Sequence, residues 1–287
     1  MTRAARRLQL TQPALSQAIA RLESQIGVRL LERNPRGVAV TPAGEAFLEK
    51  AQATLTAAAE VNATARSWAR EQEGRLHAGF MSMTPPMMAG ELVSRFMATH
   101  PEITIEWRQL GYPTLDARAW LGDSDAALIW FAPSAPGLAS QAIRTSPLVV
   151  AMSESHRLAG RPELTVIDVL DETFPGIVDW CDPVWLGYWG LDTYRGAPAR
   201  RSDDIAVTPE EVASIVASGR AITTVPEIVA VPFLHLGIRA IPLADADPAV
   251  LTLVWPQGAA TPLVAELADM ARRMCEADPP GARAAPA

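Results

Sequence analysis

Polar side chains near the N-terminus repeat at the spacing of one helical turn. Gln12, Ser16 and Gln17 are uncharged hydrogen-bonding residues, and Arg21 continues the same face of a predicted helix. Glutamine and serine side chains can form hydrogen bonds with the base edges that the major groove of DNA exposes. The residue types and their spacing therefore favour a face that contacts nucleic-acid bases.

The helix that carries this face has clear start and stop signals. Thr11 predicts the N-cap, Pro13 falls within the first turn, and Gly27 predicts the end. The opposite face has an apolar stripe, which consists of Leu15, Ile19, Leu22 and Ile26. The polar face is thus predicted to point away from a small core.

A hairpin and another helix are predicted next. Residues 28–40 indicate two short strands around an Asn-Pro-Arg-Gly turn, which is a wing with arginines at its tip. Thr41 and Pro42 then predict the N-cap and the first residue of a helix. Residues 4–8 are helix-prone and end at a Gln9-Leu10 turn, so the predicted order is helix, turn, helix, hairpin and helix, that of a winged helix-turn-helix domain.

The charge distribution separates a basic head from an acidic body. Residues 1–50 hold eight Lys or Arg and four Glu, a net charge of +4, whereas the whole chain has −7 and the remainder therefore −11. This asymmetry suggests a polyanion-binding module joined to a unit with another task. On charge alone, a merely solvated basic surface is an equal alternative, so the pattern of residues has to decide.

A long helix is predicted after the head, because no Gly or Pro occurs between Glu45 and Gly74. Its apolar and small residues alternate at spacings of three and four, as in a heptad seam. The seam consists of Leu48, Ala51, Leu55, Ala58, Asn62 and Ala65, and Val61 and Trp68 widen it. The pattern predicts a helix that pairs with a second copy. The alternative is an amphipathic helix that lies on its own domain.

Beyond Gly74 the pattern changes to alternating strands and helices, which predicts an α/β fold with a parallel, doubly wound sheet. The predicted strands are 75–81, 103–109, 126–131, 147–152, 221–225, 238–242 and 251–255, and the predicted helices include 88–99, 210–217, 227–234 and 263–275. The length fits two lobes, with the chain crossing near Ser146 and again near Ala249.

The head resembles the signature of the LysR-type transcriptional regulators over residues 4–48. The matching elements are Thr11-Gln12-Pro13, Leu22-Glu23, Gly27-Val28, Leu31-Glu32-Arg33 and Thr41-Pro42-Ala43-Gly44. The resemblance implies that Gln12, Pro13, Ser16 and Gln17 face the bases or their sugar–phosphate edges. It also implies that Arg21, Arg33 and Arg36 meet phosphates or the minor groove. Members of this family pair through the linker helix, which favours a homodimer or homotetramer.

The chain departs from the family pattern at its start. Family members begin with a further helix of about fifteen residues, packed against the helices seen here. Without that helix, the side chains of Leu8, Leu15 and Ile19 would be less buried. We therefore expect a start codon assigned too far downstream.

The body is similar to the effector-binding domain of the same family, which has the fold of periplasmic binding proteins. The motifs are Asp125-Ala126-Ala127-Leu128-Ile129, Glu154-Ser155-His156-Arg157-Leu158 and Ala217-Ser218-Gly219-Arg220-Ala221-Ile222. The resemblance implies a small-molecule effector between the lobes, at carboxyl ends of strands and amino ends of helices. The candidate residues are Ser82, Met83, Thr84, Trp130, Phe131, Thr223 and Thr224. A hydroxyl-rich helix start favours an anionic effector. Each position has an ordinary cap or core residue as its alternative.

An aromatic segment, residues 179–190, contains Trp180, Trp185, Tyr188 and Trp189. It occurs where the family commonly has a polar loop near the cleft. One hypothesis is an aromatic wall that favours a flat or apolar effector. An interface or a patch of lobe core is an equally good interpretation.

Three other classes of protein are alternatives to the regulator. An enzyme is disfavoured because the four histidines lie apart and no HExxH, GxSxG, P-loop or CxxC signature occurs. A redox sensor would use Cys181, but Asp179 and Asp182 beside it would raise the pKa of the thiol. A solute-binding protein without DNA function would fit the body alone, not the head.

The predicted organisation is a winged helix-turn-helix domain with a shortened start (1–44), a dimerisation linker helix (45–74), an effector-binding domain (75–275) and a disordered tail (276–287). Lobe I is expected over about 75–145 and 250–275, and lobe II over about 146–249. No cofactor or metal is expected. The unpaired cysteines, the N-terminus without an apolar segment and the interrupted apolar runs predict a cytoplasmic protein without a membrane partner.

Overall fold

A computed structural model describes residues 4–5, 10–34, 37–81, 89–131, 137–258 and 260–277. Within these ranges, the side chains of residues 33, 34, 37, 52, 56, 59 and 60 are outside the description. The predicted disordered tail lies outside the described residues from position 278 onward. The chain divides into two compact units, residues 1–61 and 62–287. The predicted domain borders at 44/45 and 74/75 stay predictions.

The first unit contains the predicted helix, hairpin and helix. Its elements are α1 (Gln12–Ile26), β1 (Leu31–Asn34), β2 (Gly37–Val40) and the first part of α2 (Pro42–Gln72). The strands pair antiparallel. Thr11 caps α1, since its Oγ1 accepts a hydrogen bond from the Ala14 amide at 3.3 Å, and Gly27 ends the helix with φ 76°. The predicted helix, hairpin and helix of the winged helix-turn-helix are confirmed, while most of the predicted helix and turn before them lies outside the described residues.

Hydrogen bonds to two side chains, those of Glu23 and Thr41, stabilise this small unit. The Glu23 carboxylate accepts hydrogen bonds from the Leu30 and Leu31 amides at 2.7 and 2.9 Å, and these bonds lower its pKa. Thr41 accepts a hydrogen bond from the Gly44 amide at 2.9 Å at the start of α2. The apolar stripe of α1 is only partly covered, because Leu15 is buried while Leu22 and Ile26 are exposed.

A five-stranded sheet forms the first half of the second unit, with the order β4-β3-β5-β12-β6. Its strands are β3 (Arg75–Met81), β4 (Thr104–Leu110), β5 (Ala126–Trp130), β6 (Leu138–Ser146) and β12 (Ala249–Pro256). The helices that follow these strands are α3 (Gly90–Thr99), α4 (Ala117–Leu121) and α9 (Pro262–Ala277). We call this sheet and its helices lobe I. Its core buries Leu92 and Phe96 of α3 and Leu263 and Leu267 of α9.

The second half contains a three-stranded sheet, β10-β7-β11, and a two-stranded sheet, β8-β9. Its strands are β7 (Leu148–Ser153), β8 (Phe174–Ile177), β9 (Arg201–Ala206), β10 (Thr223–Pro226) and β11 (Ile238–Pro242). Its helices are a 3-10 turn at Val166–Asp168, α5 (Pro183–Trp189), α6 (Asp192–Arg195), α7 (Pro209–Ala217), α8 (Glu227–Ala230) and a 3-10 helix at Val231–Leu236. We call this half lobe II.

The predicted all-parallel sheet was wrong: the five-stranded sheet is mixed, the three-stranded sheet is antiparallel, and among the described residues only β8 and β9 form a purely parallel sheet. β3 runs parallel to β4 and β5, but β12 is antiparallel to β5 and β6, and β7 is antiparallel to β10 and β11. The reason is the double crossing of the chain. β6 leads out of lobe I and β12 leads back into it, so these neighbouring strands run in opposite directions. The α/β, two-lobe fold class itself is confirmed.

Candidate functional site

A cavity lies where the strand ends of lobe I meet lobe II. Its volume is about 100 Å³, and it is open to solvent on one side. From lobe I it is lined by Met81, Tyr112 and Trp130, at or just beyond the ends of β3, β4 and β5. These three strands are parallel, so their carboxyl ends meet at one edge of the sheet, which is where open α/β sheets place ligands.

The lobe II side of the cavity is lined mainly by aliphatic and aromatic side chains. Its lining residues are Ala151, Pro175, Ile177, Trp185, Leu186, Trp189, Arg201, Pro209, Val212, Ala213, Val216, Thr223, Thr224, Val225, Pro226, Val229, Ala230, Phe233 and Ile238. Tyr112 and Arg201 are the titratable residues of the described lining. Such a surface suits a ligand with a large apolar part.

The aromatic segment contains the helix α5, which was not predicted from the sequence. Asp182 caps it, because its Oδ1 accepts hydrogen bonds from the Val184 and Trp185 amides at 2.8 and 2.9 Å, and Pro183 occupies the first turn. Trp185 and Trp189, one turn apart, are buried and line the cavity. The Asp-Pro pair was the signal that could have predicted this helix.

Helix α5 is tied to lobe I by its tryptophan and by the chain before it. The indole Nε1 of Trp185 donates a hydrogen bond to the carbonyl oxygen of Trp130 at 3.2 Å. The Asp182 amide donates to the Pro113 carbonyl at 2.8 Å. Tyr112 also contacts Trp185, with ring centroids 5.6 Å apart. The aromatic segment therefore forms both cavity wall and contact between lobes, which covers both of the interpretations given to its sequence.

Three buried polar atoms of the lining have no hydrogen-bond partner within the described part of the chain. They are the Tyr112 hydroxyl and the indole nitrogens of Trp130 and Trp189. Burial raises the pKa of Tyr112 well above its usual range, so the hydroxyl stays protonated. Each atom is therefore a donor without an acceptor.

The two predicted threonines line the cavity, but their hydroxyls face the protein. Thr224 is buried and donates to the Trp189 carbonyl at 2.7 Å, and the Thr223 hydroxyl lies 3.4 Å from the Thr224 carbonyl. The helix that follows, α8, is only four residues long and has Glu227 in its first turn. This acid opposes the anion-attracting field expected of a helix start. The predicted anionic effector stays a prediction.

Arg201 is a lining residue that the sequence reasoning missed. Its guanidinium donates to the carbonyls of Pro175 and Leu186 at 3.3 and 3.2 Å and lies 5.8 Å from the centre of the Phe174 ring. Burial lowers its pKa. The strand β9 that positions it is short and polar, so no hydrophobic pattern indicated that it points inward.

The other predicted effector residues divide into two groups. Trp130 lines the cavity, whereas Phe131 is absent from the described lining and stacks on Tyr188 beside it. Ser82, Met83 and Thr84 lie outside the described residues. Met81, the residue before them, does line the cavity.

The predicted DNA-contacting residues of α1 are exposed on the first unit. Gln12, Pro13, Gln17 and Arg21 are exposed, and Ser16 is half-buried. Gln12 Nε2 donates to Ser16 Oγ at 3.1 Å, which places the two side chains on one face. The Arg33 side chain and all of Arg36 lie outside the described residues.

Comparisons with known proteins agree on one family. Residues 1–45 match the family model described as "Bacterial regulatory helix-turn-helix protein, lysR family", and residues 69–276 match the "LysR substrate binding domain". The HTH-type transcriptional regulator YnfL of Escherichia coli (strain K12) is 29% identical over 262 residues, which are 89% of this chain and 86% of the relative.

Solved structures share the fold. Full-length CbnR complexed with its target DNA has a TM-score of 0.53 and 23% identity, over 95% of this chain and 93% of that chain. The effector binding domain of QuiR in complex with shikimate has a TM-score of 0.58 and 18% identity, over 71% of this chain and 98% of that chain. With both family models matched, the second over more than half of the sequence, the chain belongs to the LysR family of bacterial helix-turn-helix transcriptional regulators.

Proposed function

We propose that this regulator binds a specific duplex DNA through the N-terminal half of α1, and that a small molecule in the cavity controls that binding. The observation that carries the proposal is the exposed polar face of α1. In helix-turn-helix proteins the first residues of the recognition helix contact base edges. Gln12, Ser16 and Gln17 supply donors and acceptors there, and Pro13 lies against the sugar–phosphate edge.

The arginines have a different role in the proposal. Arg21, farther along α1, and Arg33 and Arg36 of the wing bind phosphates or the minor groove. Such contacts supply affinity and orientation but no sequence information. Specificity therefore depends on the glutamines and the serine.

Fluorescence anisotropy with the full chain tests this assignment. The duplex is the DNA upstream of the protein's own gene, and a scrambled duplex of equal length is the comparison. Gln17→Ala is expected to weaken binding to the native duplex by about 1–3 kcal/mol and to relax selectivity. Arg21→Ala is expected to weaken binding to both duplexes. It should also make the plot of log binding constant against log salt concentration less steep, by a slope of about one, because one phosphate contact is lost.

Gln25→Ala is the matched control, because Gln25 is an exposed glutamine near the opposite end of the same helix. Equal effects of Gln17→Ala and Gln25→Ala would contradict the assignment. If the parent protein prefers neither duplex, a genome-wide binding search distinguishes a different operator from a protein that binds solutes without DNA.

The linker helix supports a homodimer, or a tetramer built from two dimers. Leu48, Leu55 and Val61 of α2 are exposed in the single chain, with Leu55 and Val61 each 70% exposed. An apolar strip on a long helix is normally covered by another helix. Pairing would present two recognition helices to a two-fold DNA site.

The effector would act by changing how the two lobes close, and thereby how the paired helices meet DNA. A coupling of about 1–3 kcal/mol is enough for such control. We further propose that the cavity binds its ligand without converting it. General acid–base chemistry works best with groups that titrate near neutral pH. Tyr112 is held protonated, and Arg201 is engaged with carbonyl oxygens.

The proposed role assigns the chain to the cytoplasm, where its DNA would be. In the described residues no helix is long and apolar enough to span a membrane.

A further inference from the structure

We infer that the effector is an uncharged, mainly apolar molecule about the size of one substituted ring, and that the cavity excludes carboxylates and other anions. The inference rests on the proposed function, because it names the ligand class of the proposed effector cavity. It is carried by the surface that the cavity exposes, nearly all of which is apolar.

The lining side chains that keep accessible surface are mainly aliphatic or aromatic. Five of them come from five different elements of lobe II, and each is half-buried. They are Ile177 of β8, Leu186 of α5, Val212 of α7, Val225 of β10 and Phe233 of the 3-10 helix. A ligand gains affinity on such a surface by burying its own carbon atoms, by about fourfold for each methylene.

Most polar side chains of the described lining are engaged by the protein or sealed from solvent. The Thr224 hydroxyl donates to the Trp189 carbonyl at 2.7 Å, and the Trp185 indole donates to the Trp130 carbonyl at 3.2 Å. The Tyr112 hydroxyl and the indole nitrogens of Trp130 and Trp189 have almost no accessible surface. A polar group on a ligand would therefore give up its water and find few partners.

The charges around the cavity disfavour an anion. Arg201, the cation of the described lining, already donates to two backbone carbonyls. Glu210 and Glu211 of α7 are close enough to Tyr112 to add to the rise in the pKa of its hydroxyl, and they would repel a carboxylate ligand. A desolvated anion needs a charged or strongly hydrogen-bonding partner, whereas an apolar ligand needs none.

The volume of the cavity sets the size of the ligand. It is about 100 Å³, with one side open to solvent. A closed apolar cavity of about 150 Å³ holds one benzene ring. The open side lets a ligand extend beyond the enclosed volume, so one ring with a small substituent matches this site.

Four probes separate these properties: ethylbenzene and toluene are neutral and apolar, benzamide is neutral and polar, and benzoate is anionic. Titration calorimetry on the full chain, at probe concentrations up to about 1 mM, would measure their affinities. Ethylbenzene is expected to bind at least about tenfold tighter than benzamide or benzoate, whose polar groups lose water without gaining partners. Toluene, which lacks one methylene, is expected to bind about fourfold more weakly than ethylbenzene.

A larger side chain in the lining would locate the site. Val212→Phe places a ring at the cavity wall and is expected to weaken ethylbenzene at least about tenfold, because the ligand can no longer bury its apolar surface. Val207→Phe is the matched control, since Val207 is 50% exposed and outside the described lining. Thermal unfolding of both variants shows whether they fold, and the comparison of probes on the parent holds in either case.

Each other outcome overturns the inference. Benzoate as the tightest probe, with its binding lost in Arg201→Gln, would show an anion site. Benzamide as the tightest probe would show that a polar group of the lining reaches the ligand. No binding of any probe would show that the cavity does not take this class of ligand, and unchanged ethylbenzene binding in folded Val212→Phe would place the apolar site elsewhere. Anisotropy on the same preparation distinguishes these failures from failure of the proposed function, because selective DNA binding would persist in each of them.

Discussion

Phe131 of lobe I and Tyr188 of lobe II stack face to face, with ring centroids 3.9 Å apart and an angle of 4° between the planes. Phe131 follows β5 directly and has φ 55°, a left-handed conformation that is rare outside glycine. The residue before it, Trp130, accepts the hydrogen bond from Trp185 of α5. Consecutive residues at one strand end therefore hold α5 beside the cavity and link the two lobes.

Replacement of Tyr188 by leucine should loosen this link. Tyr188→Leu removes the stack, which is worth about 0.5–1.5 kcal/mol beyond the buried area of the ring. We expect faster hydrogen exchange at the α5 amides and a lower Tm. Tyr194→Leu is the control, because Tyr194 is 46% exposed and its hydroxyl accepts a hydrogen bond from the Asp247 amide at 3.2 Å. Equal exchange rates in the two variants would show that the stack does not secure α5.

The contacts between lobes could not be predicted from the sequence, although many elements could. The strands β3 and β11 begin and end where the alternation of residues indicated, and the caps at Thr11 and Thr41 are local signals that a sequence displays directly. The cavity depends instead on residues far apart in the chain. Trp130 and Trp185 are 55 residues apart in the chain and meet because lobe I and lobe II pack together at the cavity.

The strands that were missed share a physical reason. β6 is an edge strand with mixed exposure, and β8 and β9 are short, with polar residues in β9. None of them has the alternation or the continuous apolar run that predicts a strand. Their pairing is set by tertiary contacts. The inward position of Arg201 on β9 follows from that pairing, which explains why this residue was missed.

A buried ion pair fixes the end of the linker helix to lobe I. Arg70 of α2 donates from Nη2 and Nε to the carboxylate of Asp125, which is 2% exposed and also accepts from the His77 amide at 2.8 Å. Burial lowers the pKa of Arg70, but the hydrogen bonds and charges of Asp125 and Asp123 outweigh it, so the net shift is upward. The guanidinium is charged at every pH at which the protein folds.

Loss of one partner of this pair should destabilise the second unit strongly. Arg70→Met leaves the Asp125 carboxylate buried without its cation, at a cost of about 3–5 kcal/mol in the free energy of unfolding. Urea unfolding would measure the loss. Arg66→Met is the matched control, because Arg66 lies one turn earlier, is 55% exposed and binds Asp123 at 2.8 Å. That exposed pair should contribute less than about 1 kcal/mol. Similar losses in both variants would contradict the assignment.

Gly44 should be irreplaceable even by alanine. A Cβ at this position would lie 2.1 Å from the Leu30 carbonyl oxygen and 2.8 Å from Cγ1 of Val40. Alanine favours helices over glycine by about 1 kcal/mol, but overpacking against backbone costs about 1–3 kcal/mol. We expect Gly44→Ala to lower the Tm of the first unit and to weaken DNA binding. Glu45→Ala, at an exposed neighbouring position, is the control. A Gly44→Ala protein that is more stable than the parent would show that the β1–β2 hairpin shifts to make room for the added methyl group.

Leu55 should decide the oligomeric state if α2 pairs with a second copy. Leu55→Asp would place a charge within the proposed helix seam, where a desolvated carboxylate is unfavourable. Sedimentation equilibrium should show dissociation at concentrations where the parent remains associated. Ala53→Asp, at another exposed position of α2 outside the predicted seam, should not change the mass. An unchanged mass in Leu55→Asp would place the contact between copies elsewhere.

Cys181 should be inert towards oxidants and alkylating reagents in the folded protein. It is buried at the start of the aromatic segment, and burial, with a smaller effect of Asp182, raises the pKa of its thiol from 9.0 to about 12. Because only the thiolate reacts, a rise of this size slows modification at neutral pH by about a thousandfold. Cys275 is partly buried, and its thiol donates to the carbonyls of Ala142 and Ile143.

Alkylation with iodoacetamide, followed by mass spectrometry, would measure this difference between native and guanidinium-unfolded protein. We expect slow modification of Cys181 until the chain unfolds, and DNA binding that peroxide leaves unchanged in both the parent and Cys181→Ser. Cys275→Ser is the control that assigns any residual reaction. Rapid modification of native Cys181, together with a peroxide response that Cys181→Ser abolishes, would instead make the chain a redox sensor. In that case the cavity would not be its means of control.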